Sequence, residues 1–191
     1  MEVGSDPVAL FREWFEDARA AGVEVPEAMT LATVDADGRP SARMLLLKSA
    51  DERGFTFFTG YESRKGRELA ENPRAALVFY WRPLGRQVRV EGTVRKLSVE
   101  ESDAYWATRP LRSRAAAAAS RQSERIESRE ALEADFAAKL AHGAPPRPER
   151  WGGYVLEPDA IELWQHRDDR LHDRLRFTRA RESWHSERLA P

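Results

Sequence analysis

From Arg43 to Lys65 the chain reads RMLLLKSADERGFTFFTGYESRK, and this stretch decides the fold. Met44, Leu45, Leu46 and Leu47 form an apolar run bracketed by two cations, Arg43 and Lys48. Asp51 to Gly54 carry turn chemistry, after which Phe55, Phe57 and Phe58 resume an extended, half-buried pattern. The order is therefore strand, turn, strand, then a Ser-Arg-Lys step into a helix. Ser63 caps that helix, so Arg64 and Lys65 fall in its first turn, where the helix dipole disfavours cations unless an anion sits opposite. Arg43, Lys48, Arg64 and Lys65 around the free amides of a helix start suit a phosphate. The same cations also suit solvated strand ends, and this stretch alone leaves both readings open.

Working outward, Asp35-Ala-Asp-Gly38 between Met29–Val34 and Ser41–Lys48 is a hairpin signal, and Phe55 to Thr59 adds a third strand. The helix begun at Ser63 is stopped by Asn72-Pro73. Ala75 to Trp81 and Gln87 to Leu97 read as two further strands joined by Arg82-Pro-Leu-Gly85. Upstream, Asp6-Pro7 starts a helix whose apolar face is Val8, Phe11, Phe15 and Ala18, with Trp14 beside them and Gly22 as the stop. Ser98-Val-Glu-Glu101 is a capping box opening a helix through about Thr108, and Arg109-Pro110 breaks it. In RSRAAAAASRQSERI the five alanines favour helix, while Ser120 to Ser123 reads as a loop presenting polar groups. Ser128 to Ala141 is helical, closed by His142-Gly143, and Pro145, Pro146 and Pro148 form a stiff connector. Gly153–Leu156, Ile161–Gln165, Leu175–Arg179 and Trp184–Leu189 alternate as strands. The expected architecture is one mainly β domain with inserted helices (α+β), not a βαβ array. Its parts are an N-terminal helix over 1–24, barrel strands over 25–97, a helical insertion over 98–150 and C-terminal strands over 151–191.

Composition bounds the function. With 191 residues the chain suits a single domain with a sizeable core. A net charge of −1 argues against general attraction to nucleic acid or membranes. There is no cysteine, hence no disulfide framework or thiolate site. No apolar run approaches the roughly 20 residues that span a bilayer, and MEVGSDPVALF carries neither a basic lead nor a signal-like core, so the expectation is a cytoplasmic protein. His142, His166, His172 and His185 lack zinc-like spacing, so no metal is expected. Glycine-rich nucleotide loops and the G-x-S-x-G elbow are absent, so any phosphate must be held largely by side chains. Arg170-Leu-His172-Asp-Arg174 is the most loaded short segment. In an extended chain its three nitrogen-bearing side chains share one face, toward a pocket or toward solvent. Tyr105, Arg109 and Ser113 recur at intervals of four across the Pro110 break. Trp164 with Gln165 lies just upstream of the loaded segment, and a tryptophan there fills core or stacks on a ligand.

Taken in order, Arg43-x-x-x-x-Lys48, Ser63-Arg-Lys65, Gly85-Arg-Gln87, Arg109-Pro110, Gln122-Ser123, Trp151-Gly-Gly153, Trp164-Gln165, Arg170-Leu-His-Asp-Arg174 and the terminal Arg188-Leu-Ala-Pro191 resemble the pyridoxine/pyridoxamine 5′-phosphate oxidases over about Asp6 to Pro191. The resemblance implies an FMN-binding split β-barrel homodimer with FMN at the subunit interface. It assigns Arg43, Lys48, Phe58, Thr59, Arg64, Lys65, Gln87, Gln122, Ser123, Trp164 and Arg174 to the cofactor. It assigns Lys48, Tyr105, Arg109, Ser113, Arg170 and His172 to the substrate, with Arg170 and His172 nearest the chemistry and His172 a candidate for positioning or proton handling. Tyr105, Arg109 and Ser113 suit a phosphate ester. The implied reaction oxidises the 4′ carbon of the B6 phosphate, with O2 as acceptor and H2O2 as product; the flavin carries the redox chemistry.

The match departs in places. Ala116 to Ala119 stand where the family usually has Gly-Ala-Trp, Phe58 stands where tyrosine is frequent, and His166-Arg167 stands where glycine is frequent. A basic, tyrosine-containing N-terminal segment common in the family has no counterpart before Asp6-Pro7. Tyr80-Trp81-Arg82, Ala107 to Leu111 and Ser120 to Glu124 resemble the related phenazine-biosynthesis oxidases, which use the same FMN scaffold on a larger tricyclic carboxylate. A flavin- or B6-phosphate-binding protein without turnover is the reading from a different class.

Overall fold

In the computed structural model, which describes residues 6–181 and 183–191, Asp6 caps α1 (Pro7–Ala20) by accepting the Val8 amide at 2.9 Å. The expectation drawn from MEVGSDPVALF rests in part on residues 1–5, outside the described residues. The buried stripe of α1 is Val8, Phe11, Trp14 and Ala18. Trp14 rather than Phe15 completes it, because steps of three, three and four keep one face while Phe15 lies about 100° further round. Phe11 is 1% exposed and meets Phe55 and Phe79 with ring centroids at 4.9 Å each, and Trp81 at 5.9 Å. Burying such a ring contributes roughly 1.5–3 kcal/mol, so α1 acts as a plug over the sheet.

β1 (Ala28–Val34) and β2 (Pro40–Leu46) form the expected hairpin. Asp35 accepts the amides of Asp37 and Arg39, and Gly38 takes φ 81°. β2 stops short of Lys48: Leu47 turns inward, and the chain restarts as β3 (Ser49–Asp51), paired with β4 (Gly54–Gly60). α2 (Arg64–Glu71) follows, then β5 (Arg74–Trp81) and β6 (Arg86–Lys96). The insertion holds α3 (Val99–Thr108), whose Ser98–Glu101 capping box is formed, α4 (Leu111–Ala119) and α5 (Arg129–Ala141). The alanines are thus helical, and the loop begins at Ser120. β7 (Trp151–Gln165), β8 (Asp173–Ala180) and β9 (Ser183–Leu189) close the chain. Among the described residues no helix is long and apolar enough to cross a membrane.

All pairings are antiparallel, in the order β2-β1-β5-β6-β7-β4-β3, with β8 added to β7 and β9 to β8. β7 is the branch point. Residues from Trp151 to Leu156 pair with β4, those from Ala160 to Gln165 pair with β8, and β6 runs along the other edge. The two strands expected at Gly153–Leu156 and Ile161–Gln165 are therefore one. Pro158, between them, sits opposite Gly92 where the register shifts. A bulge tolerates a residue without an N–H. Gly92 permits the close approach, since a Cβ there would lie 2.0 Å from the Glu157 carbonyl oxygen.

Candidate active site

β4 ends in Phe58-Thr59-Gly60, and the chain turns at once into α2, so strand end and helix start share one corner. Ser63 caps α2 by accepting the Gly66 amide at 3.3 Å. Gly66 is required there, because a Cβ would stand 2.1 Å from the Tyr61 carbonyl oxygen. Lys65, only 5% exposed, donates from Nζ to Thr59 Oγ1 at 3.1 Å and to Ser63 Oγ at 3.2 Å. Glu68, one turn on and equally buried, gathers the other groups. Its Oε2 accepts from Thr33 at 2.5 Å, Ser41 at 2.7 Å and Arg43 at 3.1 Å, and its Oε1 accepts from Arg64 at 2.8 Å.

The electrostatics follow from that packing. Burial, and then the nearby Arg43 charge, bring the Lys65 ammonium down to about 8, with Glu68 acting the other way. Burial opposes the charged form of Glu68, but hydrogen bonds from Thr33, Ser41, Arg64 and Arg43 outweigh it and hold the carboxyl at about 2. Three cations and one carboxylate therefore leave an excess of two positive charges at a helix N-terminus.

Beside this corner lies a cavity of about 390 Å³, with Phe58, Thr59 and Ser63 on one wall and α4 with the following loop on the other. Arg109, Ser113, Ala116, Ala117 and Gln122 line it. Gln122 Oε1 accepts from the Thr59 hydroxyl at 3.0 Å and the Gly60 amide at 3.2 Å, tying the loop to the strand end. Ser123 beside it takes φ 73°, a conformation uncommon outside glycine and concentrated at functional sites. Tyr105 stacks on Phe58 at 3.7 Å between centroids, and Arg109 lies over Trp151 at 4.6 Å. Arg109 donates from Nη2 to the Ser113 carbonyl at 3.1 Å, while its buried Nε has no hydrogen-bond partner among the described residues. Burial lowers its guanidinium below the ordinary value. Pro110 ends the helical face, since Arg109 is extended between α3 and α4, yet the turn returns Ser113 to Arg109.

The remaining expected residues lie elsewhere. Gln87, Trp164 and Arg174 are direct neighbours across β6, β7 and β8, so their side chains share one face. Arg174 donates to Glu162 and to the Ala190 carbonyl, both at 2.9 Å, which gives the terminal Arg-Leu-Ala-Pro segment a role in holding it. The extended arrangement that would put Arg170, His172 and Arg174 on one face is not formed. Arg170 has φ 67°, and Asp169 accepts the Leu171 amide at 2.9 Å, so the segment is a turn and β8 starts only at Asp173. His172 reaches the same neighbourhood by another route: its ring lies 4.7 Å from Trp164, and its Nδ1 accepts the Arg167 amide at 3.1 Å, leaving the ring proton on Nε2.

The structure thus brings Arg43, Arg64 and Lys65 together, places Phe58, Thr59, Arg109, Ser113 and Gln122 around one cavity, and groups Gln87, Trp164, His172 and Arg174. Lys48 joins none of these; it is exposed and lines a groove against Phe11 and Phe15 of α1. Trp164 stands eleven residues along β7 from Gly153, the partner of Phe58, or roughly 36 Å of strand at the usual rise. Glu68 was missed in the sequence, although its i,i+4 spacing from Arg64 is the available signal. Among the described residues, no group of three or more His, Asp or Glu side chains is arranged to hold a metal.

Comparison with known proteins identifies the family. The family described as Pyridoxamine 5'-phosphate oxidase matches residues 15–142, and the Pyridoxine 5'-phosphate oxidase C-terminal dimerisation region matches residues 151–191. A pyridoxine/pyridoxamine 5'-phosphate oxidase of Burkholderia vietnamiensis is 57% identical over 196 residues, covering 100% of this chain and 91% of the relative. Among solved structures, PhzG from Burkholderia lata 383, in complex with tetrahydrophenazine-1-carboxylic acid, superposes with a TM-score of 0.95 at 42% identity, covering 98% of this chain and 93% of that one. A pyridoxamine 5'-phosphate oxidase-related, FMN binding protein of Nostoc punctiforme shares the fold, with a TM-score of 0.76 at 21% identity over 95% of this chain and 97% of that one.

Proposed function

The chain belongs to the pyridoxamine 5'-phosphate oxidase family, and from that premise we propose that it oxidises pyridoxamine 5′-phosphate (with water taken up and ammonia released) or pyridoxine 5′-phosphate to pyridoxal 5′-phosphate, with FMN as cofactor, O2 as acceptor and H2O2 as product. The observation that carries the cofactor is the corner around Lys65. An excess of two positive charges there matches a phosphomonoester, which carries about −1.5 to −2 at neutral pH. Arg43, Arg64 and Lys65 would hold the FMN phosphate, with Thr59, Gln122 and Ser123 supplying neutral donors. When bound, FMN would supply the two-electron acceptor for the 4′ carbon and the route of those electrons to O2.

This chain's own residues orient and exclude. Arg109, with its unpartnered Nε, together with Ser113 and Tyr105 would take the substrate phosphate, charge-assisted and away from bulk water. Arg170 and His172 would address the substrate ring, His172 from Nε2 because Nδ1 is engaged. These two groups lie at opposite ends of β7 and are too far apart for one small ligand to span. A homodimer, in which a second copy's Gln87, Trp164, Arg170, His172 and Arg174 face the first copy's Lys65 corner, resolves this separation. The exposed Met44, Leu46 and Tyr80 give apolar surface for such an interface. A cytoplasmic setting belongs to the same proposal.

One observation favours a second reading. Ala116 and Ala117 line the cavity where a large aromatic would narrow it, which suits a tricyclic carboxylate of the phenazine class. Turnover of FMN-loaded protein with each substrate class, read as product and as peroxide, separates the two oxidases from each other and from a binding protein without turnover.

A further inference from the structure

Glu68 belongs to neither ligand group, yet it binds both guanidinium groups of the phosphate corner, Arg43 and Arg64. It sits on α2 with 4% exposure and ties together three elements: Thr33 of β1, Ser41 and Arg43 of β2, and Arg64 of its own helix. Arg43 also donates to Thr33 Oγ1 and Ser41 Oγ, at 2.5 Å each, so guanidinium, hydroxyls and carboxylate form one closed network. Ordinary helix chemistry does not need such an arrangement. An exposed i,i+4 pair with Arg64 would give a few tenths of a kcal/mol without burying the carboxylate.

We infer that Glu68 is a positioning residue for the phosphate end of the flavin: it fixes the Arg43 and Arg64 guanidinium groups without touching the ligand. This rests on the proposed FMN reading. Fixing matters because both arginines carry several rotatable bonds, and a fork held in place loses less freedom on binding. Charge matters because Lys65 is buried beside Arg43, with Glu68 as the charged group that opposes its deprotonation. Removing the carboxylate adds net positive charge at the corner, but that gain is offset as Lys65 sheds its proton more readily and both guanidiniums lose their shared acceptor.

The test is a titration of apo-protein with FMN and, separately, with riboflavin, which lacks the phosphate, across pH 6.5–9.5, for wild type, Glu68→Gln and Glu68→Asp. Wild type is expected to bind FMN with an affinity that weakens above pH of about 8, where Lys65 loses its proton. Glu68→Gln is expected to weaken FMN about ten-fold or more at pH 7.5, to move the alkaline limb to lower pH and to leave riboflavin within about two-fold. Glu68→Asp keeps the charge but shortens the reach, so FMN weakens while the limb stays; this variant carries the test if Glu68→Gln does not fold. A folded Glu68→Gln with unchanged FMN affinity and limb overturns the inference, as does equal loss of FMN and riboflavin. Wild type that binds neither flavin overturns the cofactor reading instead.

Discussion

The Lys65 ammonium donates to the Thr59 hydroxyl at 3.1 Å, buried where β4 hands over to α2, and among the described residues its hydrogen bonds go to hydroxyls alone. A buried cation bonded only to neutral oxygens, with Arg43 close enough to lower its proton affinity, is costly unless an anion arrives. Lys65→Met should therefore raise apo-protein stability at pH 7 by up to about 3 kcal/mol while weakening FMN about thirty-fold. The sign follows from the lowered value. Between about 8 and the ordinary 10.5 the unfolded chain binds this proton more tightly, so the wild-type penalty is full below about 8 and fades as pH rises toward 10.5. Denaturant titrations at pH 7 and pH 10, with and without FMN, check both halves.

Glu68 behaves in the opposite way. Its carboxyl is held at about 2, below the ordinary 4.5, so its contribution is present above about 4.5 and is lost as pH falls toward 2. Apo-protein should lose up to about 3 kcal/mol across that window, and Glu68→Gln should lose correspondingly less. Urea midpoints measured between pH 5 and pH 2.5 test this.

Arg109 stands over Trp151 with its Nε unpartnered, beside Ser113 in the cavity. Arg109→Ala should raise KM for a B6 phosphate about thirty-fold and leave FMN affinity within about two-fold. Arg109→Lys should not restore it, because a point charge replaces a planar fork and forfeits the stacking. Steady-state kinetics alongside a flavin titration separate the two effects.

Lys65 and Arg174 belong to groups at opposite ends of β7. Each site in a dimer should then use Lys65 of one copy and Arg174 of the other. Lys65→Met and Arg174→Ala should each bind FMN poorly as homodimers. Mixed and reassembled, they should form heterodimers in which one of two sites is intact. Recovery of high-affinity FMN binding at about a quarter of all sites after statistical mixing supports that geometry, whereas no recovery removes it.

What the sequence made legible was set by local chemistry. The Ser63 cap, the Ser98–Glu101 box and the Asp35–Gly38 turn depend on side chains within four residues of the backbone they serve, and each formed as expected. The continuity of β7 through Pro158 was hidden because it depends on a partner 66 positions away, Gly92, which no local pattern reveals. The turn at Arg170 was hidden because its left-handed φ goes with a turn around Asp169, which the alternation of Arg170, His172 and Arg174 does not reveal. The direction of Lys48 was equally hidden, since Leu47 turning into the core redirects the residue after it. Glu68 went unremarked as one acidic residue on a polar helix until β1 and β2 closed over it.

The most direct measurement mixes FMN-reconstituted protein, without oxygen, with pyridoxamine 5′-phosphate or pyridoxine 5′-phosphate, and tracks the flavin's visible absorbance. Bleaching with formation of pyridoxal 5′-phosphate, followed by recovery of colour and release of peroxide when oxygen is admitted, is the predicted result. Bound flavin that stays yellow with both compounds would contradict the assignment as a B6-phosphate oxidase.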